Sequence, residues 1–169
     1  MKRYIRLIYM MIAGLLILPS GCISNDEPYP CSLVSVGDRL PHFEVELSDG
    51  RRISDEILAG QHSVVVLFSI ACSDCRRYLP VVEALHKERP DVEIICIARS
   101  ETAPILSEYW AANSLTLPYS PQSDDSVYKL FATGGVPRTY VCDNSLTVVA
   151  EWDDRPLPSL GELLDAIAK

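Results

Sequence analysis

The apolar run at residues 63–70, with Val64-Val65-Val66-Leu67-Phe68 at its centre, leaves this chain few ways to fold. It is rich in β-branched residues and has no polar alternation, so it is expected to form a strand covered on both faces. Cys72-Ser73-Asp74-Cys75 follows at once, and helical spacing then appears at Leu79, Val82, Leu85 and His86. A buried strand therefore hands a C-x-x-C pair to the start of a helix. Upstream, residues 42–47 alternate as a half-buried strand, Ser48-Asp49-Gly50 turns the chain, and residues 51–53 return as a short hairpin partner. Residues 54–58 make one helical turn. Downstream, residues 92–98 read as a second buried strand, and residues 103–112 place Ile105, Leu106, Tyr109 and Trp110 on one helical stripe. Val127, Leu130 and Phe131 mark a short helix, and strands at 139–142 and 147–152 are joined by Asp143-Asn144-Ser145. Ser159 with Glu162 forms a capping box that opens a last helix, with Leu160, Leu163, Leu164 and Ile167 inward. That order of elements predicts an α/β sandwich around a mixed sheet, in one domain.

The chemistry lies at the start of the helix after the first buried strand. Unpaired backbone N–H groups and the helix dipole stabilise a thiolate there, which suits redox work. The spacing lets the two sulfurs approach to bonding distance. Cys72 is expected to be the exposed nucleophile, and Cys75, one turn inside, to resolve the mixed disulfide by internal attack. Ser73 and Asp74 between them tune the pair. The dipole contributes roughly 0.3–2 kcal/mol towards the Cys72 thiolate. An ionised Asp74 roughly 6–7 Å away opposes it by roughly 1–3 kcal/mol, and Arg76 and Arg77 give back part of that. Near-cancellation predicts a reductant or isomerase-like poise rather than a strong oxidant, which a potential well above about −150 mV would overturn.

The N-terminus reads as an export signal. Lys2, Arg3 and Arg6 form a basic start, and the apolar run at 7–18 is too short to span a bilayer, which needs about 20 residues. Leu18-Pro19-Ser20-Gly21-Cys22 resembles the lipobox of bacterial lipoproteins, although Pro19 stands where leucine is usual. The resemblance implies a signal peptide at 1–21, lipid attachment at Cys22 and a cell-envelope location. Ile23 and the acidic Ser24-Asn25-Asp26-Glu27 point to the outer membrane, facing either the periplasm or the exterior. Residues 22–36 are expected to be a flexible tether and residues 37–169 the folded domain. Without Lys2, Arg3 and Arg6, 12 basic residues face 23 acidic ones, a net charge of −11. Such a chain repels nucleic acid and anionic lipid, so no nucleic-acid partner is expected.

Three features together resemble the thioredoxin-fold superfamily, in its extracytoplasmic thiol–disulfide oxidoreductase branch (TlpA/AhpC-TSA-like). These are the C-x-x-C after its strand, Pro80 within the helix, and Gly134-Gly135-Val136-Pro137 before Thr139-Tyr140-Val141. The resemblance implies a three-layer α/β/α sandwich with an N-terminal hairpin. It also implies a cis proline at Pro137 facing the cysteines, with Val136 and Pro137 as the substrate platform and Arg138 beside it. Its implied partners are disulfides of exported proteins and a membrane thiol donor that recharges the pair. No cofactor or metal is implied, and the chain is expected to be a monomer. Several positions depart from the family pattern. Ala71 replaces an aromatic, Val66 stands where thioredoxins bury an aspartate, and Tyr78 stands where some relatives carry a glutamate. No buried carboxylate is then evident to deprotonate Cys75, which leaves Asp74 or water.

Other readings compete. Cys72 and Cys75 lack the further ligands a zinc site needs. Cys96 and Cys142 lie in strands expected to flank 63–70 on opposite sides, so both read as buried small hydrophobes rather than a bonded pair. Cys31 has no assigned role. His42, His62 and His86 share no catalytic spacing, and Tyr109 and Trp110 read as core. A peroxiredoxin-like peroxidase is an alternative, with Ser69 standing in for its threonine, but Val65 occupies the place of its proline. A non-catalytic thioredoxin-like binding module is the other.

Overall fold

A computed structural model of the protein describes residues 31–169. The expected signal peptide, the lipid-attachment residue Cys22 and tether residues 22–30 lie outside the described residues. In chain order the elements are β1 (Glu44–Glu46), β2 (Arg52–Ser54), α1 (Asp55–Leu58), β3 (Ser63–Phe68), α2 (Ser73–Glu88), β4 (Glu93–Ala98) and α3 (Ala103–Ala112). There follow β5 (Tyr119–Ser120), a 3-10 turn (Tyr128–Leu130), β6 (Arg138–Cys142), β7 (Val148–Trp152) and α4 (Leu160–Ile167).

Strand β3 is buried along its whole length, and successive side chains enter two different cores. Val64, Val66 and Phe68 pack with Leu79, Val82 and Leu85 of α2, Leu106 and Trp110 of α3, and Leu163 and Ile167 of α4. Val65 and Leu67 pack on the opposite face with Phe43, Val45 and Ile53 of the hairpin region, Leu58 of α1, and Tyr128 and Phe131. An unbroken apolar strand is what such two-sided cover requires. Each fully buried aliphatic side chain contributes about 1.5–3 kcal/mol, so this strand anchors the domain.

The central sheet has the order β5-β4-β3-β6-β7, with β1 and β2 forming a separate antiparallel pair. β3 runs parallel to β4 and antiparallel to β6, which makes the sheet mixed. This is a thioredoxin-like α/β/α fold with an N-terminal β-hairpin. Its second helical layer is thin, made of α1 and the 3-10 turn with the hairpin across them. The capping box of Ser159 and Glu162 is present at α4. Cys96 and Cys142 sit on β4 and β6, either side of β3, and both are free and buried.

The structure corrects the sequence reading in four places. The segment taken as tether up to residue 36 is docked from Cys31 onward. Ser32 bridges Ala132, the Leu33 N–H donates to the Phe131 carbonyl at 2.8 Å, and Val34 is buried. A short strand, β5, extends the sheet where none was expected, between Pro118 and Pro121. Ile105 faces solvent, so the α3 stripe narrows to Leu106, Trp110 and the half-buried Tyr109. The short helix around residue 130 is a 3-10 turn with Leu130 exposed.

Candidate active site

Cys72 is the N-cap residue of α2, with extended backbone (φ −85°, ψ 126°) and no side-chain capping bond. Its sulfur is half-buried and donates to the Val136 carbonyl at 3.3 Å. Cys75 lies one turn further on and is fully buried. The Ser69 N–H donates to the Cys75 sulfur at 3.5 Å. Both cysteines are free thiols. Burial above all pushes the Cys75 thiol well above the usual range. The Ser69 N–H opposes that shift, while the neighbouring Cys72 and the charge of Glu101 add to it. Cys75 is thus held as a protonated thiol beneath a more accessible one.

Residues expected to flank the pair fall as follows. The Val136–Pro137 peptide bond is cis, and so is Arg155–Pro156. Val136 is half-buried beside Cys72, and Pro137 is buried. Arg138 is also buried, and its guanidinium turns back to donate to the Gly134 carbonyl at 2.8 Å. It braces the loop rather than offering a surface charge. Ser73 is exposed. Asp74 is paired with Arg77 at 2.5 Å, so much of the opposition it was expected to exert on a thiolate is neutralised locally. Arg76 donates to the Ile70 carbonyl at 2.9 Å and so closes the strand-to-helix turn.

Glu101 was missed. One of its oxygens, Oε1, accepts from the Ser69 hydroxyl at 2.8 Å, the Ile70 N–H at 2.8 Å and the Ala71 N–H at 3.4 Å. A carboxylate therefore lies directly under the loop that presents Cys72. The pairing of β3 with β4 could have located it. Ser63 sits opposite Glu93 and Phe68 opposite Ala98, and the same offset carried past the strand ends puts Glu101 beside Ala71. Ser69 spends its hydroxyl on Glu101 rather than on Cys72, unlike the peroxidase arrangement considered from sequence. Tyr78, in the place of the relatives' glutamate, is buried and bonded to the Thr139 hydroxyl at 3.1 Å. Among the described residues no cluster of histidine, cysteine and acidic side chains could hold a metal ion.

A dithiol at a helix N-terminus, on a mixed sheet and against a Val-Pro loop, defines the thioredoxin class of site. The thioredoxin family profile matches residues 43–140, more than half of the chain. The chain belongs to the thioredoxin family. It is 24% identical over 116 residues to the thiol-disulfide oxidoreductase ResA of Oceanobacillus iheyensis, covering 62% of this chain and 58% of that protein. The chain thus spans little more than half the length of that relative. Among solved structures, a candidate protein disulfide isomerase of Bacteroides thetaiotaomicron aligns with a TM-score of 0.71 at 21% identity, covering 82% of this chain and 89% of that one. A thio-disulfide isomerase of Thermus thermophilus aligns with a TM-score of 0.66 at 24% identity, over 80% and 96%. At such identities the structural likeness speaks for the fold.

Proposed function

We propose that this protein is a membrane-anchored thiol–disulfide oxidoreductase that reduces disulfides of exported proteins through a Cys72/Cys75 dithiol cycle. The observation that carries the reading is the contrast between the two sulfurs. Cys72 is accessible at the helix start, 3.3 Å from a backbone carbonyl on a neighbouring loop, and Cys75 is sealed directly beneath it. In the first step the Cys72 sulfur bonds to one substrate sulfur, and the other leaves with the electron pair and takes up the Cys72 proton. In the second step Cys75 attacks Cys72, the mixed disulfide breaks, and the second substrate sulfur leaves as a thiol. Two electrons have then passed from the dithiol to the substrate. The backbone at Val136 and Pro137 offers an extended substrate segment a place to lie alongside Cys72.

Burial outweighs the Ser69 N–H at Cys75, so the thiolate is disfavoured on balance and the reduced pair gains no net stability from that ionisation. A strong oxidant needs such stabilisation, which supports a reducing direction. The basic start, the short apolar run and Cys22 support export and a lipid anchor at the outer membrane, with a membrane dithiol donor to recharge the pair. No helix among the described residues is long and apolar enough to cross a membrane. Expressing Cys75→Ser in the envelope tests the function. The expected result is exported proteins trapped on Cys72 as disulfides that a reductant releases, with none trapped by the Cys72→Ser, Cys75→Ser double variant. Equal capture by both variants would refute it. Fatty-acid labelling that survives Cys22→Ser would refute the anchor.

A further inference from the structure

Two surface cavities share Arg138, Asp153 and Arg155 as walls, and neither is lined by the dithiol. One, of about 370 Å³, adds Glu151, and the other, of about 350 Å³, adds Cys31 and Gly134. Both are too roomy for a single water and have the size of a small-ligand pocket. Arg138 is 7% exposed, and its guanidinium donates to the Gly134 carbonyl, but its Nε is buried with no hydrogen-bond partner among the described residues. Oε2 of Glu151 on β7 is likewise buried and without one. The other charges on these walls are engaged: Asp153 accepts from the Arg155 N–H at 2.8 Å, and the Arg155 side chain lies 3.4 Å from Asp154. A cationic donor and an anionic acceptor are therefore left at one cavity, each unfavourable until something enters to meet it. Burial pushes the Glu151 carboxyl up, and the charge of Arg138 opposes this without cancelling it.

The two groups call for opposite ends of one small molecule. Arg138 suits a carboxylate and Glu151 suits an ammonium, and a free α-amino acid carries both on one carbon. The third group at the site is a thiol. Cys31 lines the second cavity and is 9% exposed. Its sulfur packs against Gly134, the residue whose carbonyl Arg138 holds. The Cys31 carbonyl accepts from the Thr133 N–H at 2.7 Å, which fixes the thiol in place. Thiol, guanidinium and carboxylate together complement the sulfur, carboxylate and ammonium of a disulfide-linked cysteine. Disulfides of that kind persist outside the reducing cytoplasm, where the export signal read at residues 1–21 would send the chain.

We propose that these cavities bind a small amino-acid disulfide, cystine in its simplest form, and that Cys31 captures half of it, with Arg138 holding the carboxylate and Glu151 the ammonium. The Cys31 sulfur attacks one sulfur of the bound disulfide and forms a new S–S bond with it. The original S–S bond breaks, and its electron pair leaves on the departing sulfur, which takes up the Cys31 proton. Cys31 ends as a mixed disulfide with cysteine, the departing half ends as a thiol, and cystine itself is the oxidant. The dithiol of Cys72 and Cys75 takes no part.

The test uses the full chain with an excess of one of three disulfides: cystine, cystamine, which lacks the carboxylates, or dithiodipropionate, which lacks the ammonium groups. Peptide mass spectrometry follows the adduct on Cys31, with fragment spectra separating it from Cys22, and oxidation of Cys72 and Cys75 is read on its own peptide. Each rate is divided by the rate of the same disulfide with the urea-unfolded chain, which removes differences in intrinsic reactivity. The acidic surplus of the chain alone would rank cystamine first and dithiodipropionate last. The site instead places cystine first, ahead of each of the others by about tenfold or more, the weight of one charge-assisted hydrogen bond. Glu151→Gln should slow cystine about tenfold and leave dithiodipropionate unchanged, since only cystine brings an ammonium. If that variant does not fold, the three-disulfide ranking on the unaltered chain decides alone. The proposal is overturned if Cys31 gains no cysteine adduct or if the three normalised rates are equal or follow net charge. It is equally overturned if Glu151→Gln slows cystine and dithiodipropionate alike or neither of them. Failure of the dithiol reading would appear on the Cys72 and Cys75 peptide and leave the Cys31 ranking as it stands.

Discussion

Replacing Glu83 by Gln removes a charge that ties the active-site helix to the chain entering β5. The Glu83 carboxylate accepts from the Thr116 hydroxyl at 2.6 Å, the Thr116 and Leu117 N–H groups at 2.9 Å each, and Lys87 at 2.9 Å. Burial alone would raise the carboxyl, but these donors outweigh it and bring the group from its ordinary 4.5 down to about 2. A lowered pKa means that the folded state holds the charged form more tightly than the unfolded chain does. The stabilisation is therefore complete above the unfolded value of 4.5 and drains away as pH falls towards 2. It amounts to about 2–3 kcal/mol at neutral pH and about 1 kcal/mol at pH 3. Urea unfolding of wild type and Glu83→Gln at both pH values measures it. The expected difference is large at pH 7 and less than half as large at pH 3, while the Cys72 reaction with a small disulfide is unchanged. An equal loss at the two pH values would show that shape rather than charge matters at Glu83. A loss under about 0.5 kcal/mol at neutral pH, the range of an ordinary surface change, would refute the bonding argument outright.

Two further outcomes follow from the burial of the cysteines. Iodoacetamide at pH 7 should modify Cys72 in the native reduced protein and leave Cys75, Cys96 and Cys142 untouched until it unfolds, since burial pushes all three thiols up, Cys142 to about 12. Mass spectrometry of peptides checks this, and early labelling of Cys75 would contradict the two-tier site. A methyl group added at Gly134 would lie 3.1 Å from the Cys31 sulfur, so Gly134→Ala should cost on the order of 1 kcal/mol. Adding Cys31→Ala should relieve most of that in a double-mutant cycle, and additive losses would show that Cys31 does not pack there.

Much of the fold was legible because its strongest signals are local. An unbroken apolar run can be buried on both sides only in the middle of a sheet, and the C-x-x-C after it needs no long-range knowledge to place at a helix start. The capping box of Ser159 and Glu162 and the turn at Asp143-Asn144-Ser145 act within a few residues. What escaped depends on distant partners. The two residues of β5 carry no pattern of their own and form a strand by pairing with Cys96 and Ile97. Residues 31–34 follow Pro28 and Pro30, carry no apolar period of their own, and look like a tether until Phe131 and Ala132 supply partners. Glu101 follows β4 with no motif around it and becomes a site residue through the parallel register that brings it to Ala71. Asp74 was visible, but its pairing with Arg77 changes the electrostatic balance that its position alone suggested.

Equilibrating the domain with graded ratios of reduced and oxidised glutathione, and counting free thiols on Cys72 and Cys75, goes straight to the core of the account. A single two-electron transition is expected, confined to that pair, with a potential below about −150 mV. A pair that never interconverts, or one that titrates well above that value as a strong oxidant does, would contradict it.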